Sequence, residues 1–279
     1  MRVLGAGHMA DVNTGRDELA AGGRGVLVTG ASRGIGAATA QAFAAAGDRV
    51  AVHFRADRAA AELVLAALPG SGHHLVQGDI ADPEQVAALV AAAVAELDGI
   101  DVLVNNAAVY DSGEPAERRL HHPLADTDYA TWQRSWRRTV EVNLLGTANV
   151  TWCVARHMLD THRSGRIINV GSRGAYRGEP DVPAYGASKA GVHALGQSLA
   201  VALAPHQIAV ASVAPGFVET DMTSALMGSP AGEPIRAQSP FGRVAATHEI
   251  AAAIIWLASP EAQWASGAVL DLNGASYLR

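Results

Sequence analysis

Cysteine, lysine and long apolar runs are all scarce in this chain of 279 residues, and each shortage excludes something. Cys153 stands alone, so no intramolecular disulfide can form and no oxidising compartment is implied. No apolar run reaches the ~18 residues of a membrane-spanning helix. Near the start, Arg16, Asp17 and Glu18 follow a short mixed segment, which lacks the apolar region of a secretory signal. The expectation is a soluble protein of the cytoplasm with no membrane association. Basic charge is short as well: 21 Lys and Arg against 27 Asp and Glu leave a net charge of −6. That balance argues against a nucleic-acid partner, for which a basic face is the norm. Arg118, Arg119, Arg134, Arg137 and Arg138 cluster locally, but acids lie among them, as on a solvated helix face. Lysine is the scarcest charge of all. Only Lys189, within AYGASKAG, is not an arginine among the 21 basic residues.

What is present points to a globular α/β protein. Hydrophobic residues make up 49% and charged residues 17%. Short Val- and Ile-rich runs, apolar on both alternating sets, read as strands buried on both faces. They are 25–29, 49–54, 74–77, 100–105, 166–170, 208–213 and 268–272. Helical patterns lie between them over 35–46, 58–68, 83–97, 128–162, 183–204 and 248–257, with Asp82-Pro83 and Glu84 as a start signal for the third. This alternation predicts a single Rossmann-fold domain over 24–279, a doubly wound seven-stranded parallel sheet with helices on both faces. No linker, low-complexity tract or solenoid period divides it. Residues 1–23 read as a loose extension. GAGHMA within them fits a dinucleotide pattern, but neither a strand before it nor a helix after it supplies the context that a phosphate loop needs.

TGASRGIG (29–36) does have that context. Gly30, Gly34 and Gly36 at a strand-to-helix turn let backbone approach a pyrophosphate, beside the free N–H groups of a helix N-terminus. The alternative is a tight turn without a ligand. The second strand ends His53-Phe54-Arg55, with no acid at its tip to hold ribose hydroxyls and repel a 2′-phosphate. Arg55 and Arg33 are placed to grip such a phosphate, so NADP(H) is expected ahead of NAD(H). The plain alternative for Arg55 is a surface arginine.

Tyr185 and Lys189, four residues apart, share one face of a helix whose start is marked by Pro183. Helix dipole and ammonium together would lower the phenol pKa from ~10 and fit it for acid–base work. Most Tyr-x-x-x-Lys pairs are mere surface neighbours. Ser172, just past the strand at 166–170, is where ligands bind in an open parallel sheet and raises the pair above that background.

In this order the motifs resemble those of the short-chain dehydrogenase/reductase (SDR) family. They are TGASRGIG, Asp79-Ile80, NNAA (105–108), Asn143, Ser172, Tyr185-x-x-x-Lys189 and PGFVET (215–220), and the resemblance runs from about Arg24 to the C-terminus. PGFVETDM and SPFGR (239–243) look most like β-ketoacyl-ACP (3-oxoacyl-ACP) reductases. The resemblance implies that Tyr185 donates a proton to a carbonyl, Ser172 bonds its oxygen, Lys189 tunes the phenol and holds the nicotinamide ribose, and Asn143 fixes a relay water. It places Gly30, Ser32, Arg33, Gly34, Ile35, Gly36, Arg55, Asp79, Ile80, Asn106 and Ala107 along the adenosine side of the cofactor. Tyr185, Lys189, Pro215, Gly216, Val218 and Thr220 fall at the nicotinamide end. Asn143 and Thr220 also have a simpler reading as helix caps. The substrate implied is a small carbonyl or secondary alcohol, and the assembly a homodimer or homotetramer. A non-catalytic NADP(H)-binding protein is the third reading. Ala108 stands where many members have Gly, and 111–124 lengthens the chain before Asn143; such loops are usually functional or mobile. His121-His122 within it lack the companions that a metal site needs, and no metal is expected. Leu226, Met227, Ile235 and Phe241, after PGFVET, suit either a partly apolar substrate or simple packing.

Overall fold

Strand β1 (Gly25–Val28) shows how the sheet is built: all four residues of GVLV are buried, with Val26 and Val28 in one apolar layer and Leu27 in the other. A strand covered on both faces needs no polar alternation, which is why these runs are continuous. The computed structural model describes residues 23–110, 122–220 and 232–279. It continues with helix α1 (Gly34–Ala45), β2 (Arg49–Phe54), α2 (Arg58–Ala67), β3 (His74–Gln77), α3 (Pro83–Leu97) and β4 (Val102–Asn105). Then come α4 (Tyr129–Val140), a π-helical turn (Glu141–Gly146), α5 (Thr147–Asp160), β5 (Gly165–Val170), α6 (Gly174–Arg177) and α7 (Pro183–Leu203). The last part holds β6 (Ile208–Pro215), β7 (Val218–Glu219), α8 (Glu233–Arg236), β8 (Ala245–Ala246), α9 (Thr247–Leu257) and β9 (Val269–Leu272).

Seven strands form one sheet in the order β3-β2-β1-β4-β5-β6-β9. Every pairing is parallel, so the expected doubly wound Rossmann architecture is the one observed. Chain order reverses between β1 and β4, and the crevice beyond the C-terminal ends of these strands is the binding position of such sheets. One layer packs Phe43, Ala61, Ile250, Ile254 and Leu257 from α1, α2 and α9 against the sheet. The other packs Leu89, Val90, Val154, Met158, Ala200 and Leu203 from α3, α5 and α7. At the start of α3, Asp82 accepts hydrogen bonds from the Glu84 and Gln85 N–H groups, as its sequence signal foretold.

The segment 128–162 departs from the single helix expected. Its middle widens into the π-helical turn, and the helix ends at Asp160. Gly146 backs onto Ile80 so closely that a Cβ there would lie 2.8 Å from the Ile80 carbonyl oxygen. The tryptophans divide: Trp132 and Trp136 pack together with ring centroids 5.6 Å apart, while Trp152 is 67% exposed. No described helix is long and apolar enough to cross a membrane. The dinucleotide-like GAGHMA, His121, Leu226 and Met227 lie outside the described residues.

Candidate active site

The glycine turn closes over β1. Gly30 and Gly34 adopt left-handed φ angles of 64° and 57°, which side chains tolerate poorly. A Cβ on Gly36 would sit 2.3 Å from the Gly30 carbonyl oxygen and 2.6 Å from Asn106 Nδ2. Helix α1 begins at Gly34, where the capping residue Arg33 gives no side-chain hydrogen bond and the first turn carries no acid. Its opening N–H groups, beside half-buried Ser32 and Ile35, are therefore available to an anion. Backbone this close to the turn, with no side chain filling it, fits a pyrophosphate.

Thr29 and Asn106 fasten this turn to the NNAA loop. Thr29 Oγ1 accepts from the Asn106 and Ala107 N–H groups at 2.9 and 3.0 Å. Asn106 Nδ2 donates to the carbonyls of Thr29 and Gly30, both at 3.0 Å. Beneath the turn lies buried His53. Its Nδ1 accepts from the Gly30 N–H at 3.0 Å, and its Nε2 lies 3.0 Å from the Gly78 carbonyl. Both contacts are met when Nε2 carries the proton of a neutral ring, and burial holds the pKa below its ordinary value. Sequence reasoning read past His53, although a lone polar residue inside RVAVHF was the available signal.

Just beyond the end of β3, where adenosine is expected, Ile80 is buried and Asp79 accepts from the Ala81 N–H. Arg55 and Arg138 reach the Asp79 carboxylate at 3.7 and 3.5 Å. Arg33 pairs with Asp57 at 3.0 Å. Both arginines expected to meet a 2′-phosphate thus stand at the tip of β2, about half exposed, each already facing an acid. At the opposite end, β6 carries Pro215 to the rim and Gly216 donates its N–H to the Leu272 carbonyl at 3.0 Å. Val218 pairs with Ala245, and Thr220 returns over α1, where a Cβ on Gly34 would lie 3.2 Å from its Cγ2.

Ser172, Tyr185, Lys189 and Asn143 converge between these two ends. Ser172 hydrogen-bonds the Tyr185 phenol, and its Oγ accepts from the Gly174 N–H at 3.0 Å. Tyr110 packs edge-on against the Tyr185 ring, centroids 4.8 Å apart. Buried Lys189 donates from Nζ to the Val170 carbonyl at 2.7 Å and stands 5.8 Å from the Tyr185 ring centroid. Burial brings its pKa down to about 8. Asn143, in the π-helical turn, exchanges two hydrogen bonds with the Val109 backbone at 2.8 and 3.1 Å and donates to Ser188 Oγ at 3.1 Å. It caps no helix end; it ties the loop after NNAA to α7.

One expectation is corrected. The Tyr185 phenol is pushed above its ordinary pKa rather than below it, first by burial and further by Tyr110 and Glu179, while the Ser172 hydrogen bond pulls the other way. Removing water from a phenolate costs more here than the ammonium returns at this distance.

A family model described as enoyl-(acyl carrier protein) reductase matches residues 30–274. The 3-oxoacyl-[acyl-carrier-protein] reductase of Vibrio cholerae is 36% identical over 92% of this chain and 98% of its own. The cis-4-hydroxycyclohexanecarboxylate dehydrogenase of Sinomonas cyclohexanicum is 38% identical over 89% of this chain and 94% of its own. Among solved structures, the 3-ketoacyl-(acyl-carrier-protein) reductase of Brucella melitensis, complexed with NADH, superposes with a TM-score of 0.79. It is 30% identical, with 92% of this chain and 99% of that one covered. With the glycine turn, the Ser172–Tyr185 hydrogen bond and the buried lysine in one crevice, the chain belongs to the short-chain dehydrogenase/reductase family of oxidoreductases.

Proposed function

We propose that this protein is an NADP(H)-dependent reductase of a ketone, a 3-oxoacyl thioester or similar carbonyl, which it converts to a secondary alcohol. The observation that carries the reading is the hydrogen-bonded Ser172–Tyr185 pair with Lys189 buried beside it. A nicotinamide bound along the crevice would supply the hydride. Ser172 polarises the carbonyl oxygen, and Tyr185 delivers a proton to it as negative charge develops there. A phenol held protonated by burial suits donation, and so suits reduction at neutral pH. Lys189 keeps a positive charge within electrostatic reach of the Tyr185 oxygen once it ionises, and Asn143 holds the Val109–Tyr110 backbone against α7.

NADP(H) follows from Arg33 and Arg55, whose exposed guanidinium groups can exchange a carboxylate for a doubly charged phosphate. The NADH found with the Brucella protein makes NAD(H) the competing cofactor. The Sinomonas relative favours a second reading, oxidation of a secondary alcohol on a ring. Turnover of acetoacetyl-CoA with NADPH, set against a panel of sugars, polyols and cyclic alcohols with NADP⁺, separates the two. We expect kcat/KM for NADPH to exceed that for NADH, and Tyr185→Phe to lose ~10²–10⁴-fold in kcat. A preference for NADH overturns the cofactor assignment, and a fully active Tyr185→Phe the mechanism.

The assembly we propose is a homodimer or homotetramer that covers Trp152 and Leu145, which are 67% and 51% exposed beside the π-helical turn. Light scattering should give a mass of two or four chains, reduced by Trp152→Arg; a monomeric parent rules it out.

A further inference from the structure

The start of α7 holds Tyr185 as its third residue, and its cap comes from elsewhere in the chain. Val182, in the capping position, offers no side-chain hydrogen bond. Pro183 has no N–H. The N–H groups of Tyr185 and Gly186 both turn back to the Val182 carbonyl, at 2.9 and 3.4 Å. That leaves Ala184, whose N–H donates to Nε2 of His122 at 3.2 Å. His122 is wholly buried, and its own backbone N–H donates to the Asp181 carbonyl at 2.8 Å. It therefore grips the approach to α7 at two points. On its other side the ring packs edge-on against Trp132 of α4, centroids 5.6 Å apart. The helical run that carries Asn143 is thereby braced against the helix that carries Tyr185 and Lys189.

We propose that His122 is a positioning residue for the reaction, a cap brought from well before Asn143 in the chain that fixes the first turn of α7 and with it the Tyr185 phenol. The assignment rests on the catalytic reading of Tyr185 given above. An acceptor at Nε2 requires a neutral ring with its proton on Nδ1. Without it, the Ala184 N–H is left unpaired in a buried place, and the first turn shifts or frays to recover a partner. A displacement of about 1 Å at a proton donor is enough to cost on the order of 10²-fold in rate. The cofactor turn lies on other elements and is not disturbed. His122 thus ties its own stretch of sequence directly to the catalytic helix.

His122→Phe keeps the ring and its contact with Trp132 but removes the acceptor, whereas His122→Gln returns an acceptor oxygen near the position of Nε2. With acetoacetyl-CoA and NADPH, we expect His122→Phe to lower kcat by roughly 10–100-fold. KM for NADPH should stay within about threefold, and His122→Gln should recover most of the rate, since the acceptor is what the role needs. Wild-type kcat in His122→Phe, or equally low kcat in both variants, overturns the proposal. Hydrogen exchange at the Ala184 amide of the unmodified protein supplies an arm that needs no variant to fold. Protection supports the cap, and exchange at the rate of an open first-turn amide overturns it. Tyr185→Phe in the same assay separates the two readings. An inactive Tyr185→Phe beside a fully active His122→Phe removes the role of His122 alone, and a fully active Tyr185→Phe removes both.

Discussion

Lys189 carries its charge where water cannot reach it. It is 4% exposed, and its Nζ donates to the Val170 carbonyl at 2.7 Å. A compact ammonium fits that slot and keeps two further donor directions beyond the Val170 bond. A guanidinium is planar and broader, and it keeps its proton throughout the physiological range, whereas burial brings the Lys189 pKa down to about 8. Lys189→Arg preserves the sign of the charge and loses this geometry. We expect kcat to fall by roughly 10²-fold, of the order lost with a positioned acid–base group, while the protein remains folded by circular dichroism. Full activity in Lys189→Arg would mean that charge alone suffices and that the single lysine of the chain has no special standing.

At the scale of elements, what was legible depended on how local its cause is. The strand at 49–54 and the helix at 83–97 follow from short patterns of apolar residues, Asp82 and Pro83, and they occur within the bounds read from the sequence. The fourth strand begins at Val102 rather than 100, because Gly99 turns with φ 105° and the Ile100 N–H goes to His157 Nε2 instead of a neighbouring strand. The π-helical turn was not legible. Nothing in EVNLLG breaks a helix; the turn widens where Gly146 meets Ile80 and Asn143 is drawn sideways to Val109 and Ser188. Ser172, Tyr185 and Lys189 could be read because two stand on one helix face and the third at a strand end. His122 could not, since its cap on Ala184 joins positions 62 apart in sequence. His53 was readable as an anomaly in a strand, but its two hydrogen bonds, to Gly30 and Gly78, needed the turn and β3 in place.

For the whole molecule, the buried histidines tie stability to pH. His53 and His193 are 2% and 3% exposed, and both are driven below the ordinary imidazole pKa chiefly by burial, His193 to about 4. His157 is lowered in the same direction by burial and by Arg163. His193 stacks on Tyr176 with centroids 5.2 Å apart, and among the described residues neither of its ring nitrogens has a hydrogen-bond partner. Below pH 6.5 the unfolded chain takes up protons at these positions while the folded protein refuses them. The unfolded state then binds more protons as pH falls, so folding stability drops from pH 6.5 toward about 4. Glu179, raised by burial, works in the opposite sense above pH 4.5, and Glu249, lowered to about 2 by its Arg243 partner, adds its loss only below 4.5. Lys189, lowered to about 8, makes the folded state gain again between pH 8 and 10.5. Discounted for solvent screening, His193 alone should account for on the order of 2 kcal/mol between pH 6.5 and 4. Urea unfolding at pH 5 and pH 7 measures this. The difference in unfolding free energy between the two pH values should shrink in His193→Leu, whatever the variant's absolute stability. Equal differences in parent and variant would show that the His193 imidazole takes its proton as readily folded as unfolded, and the proposed source of acid sensitivity would fall.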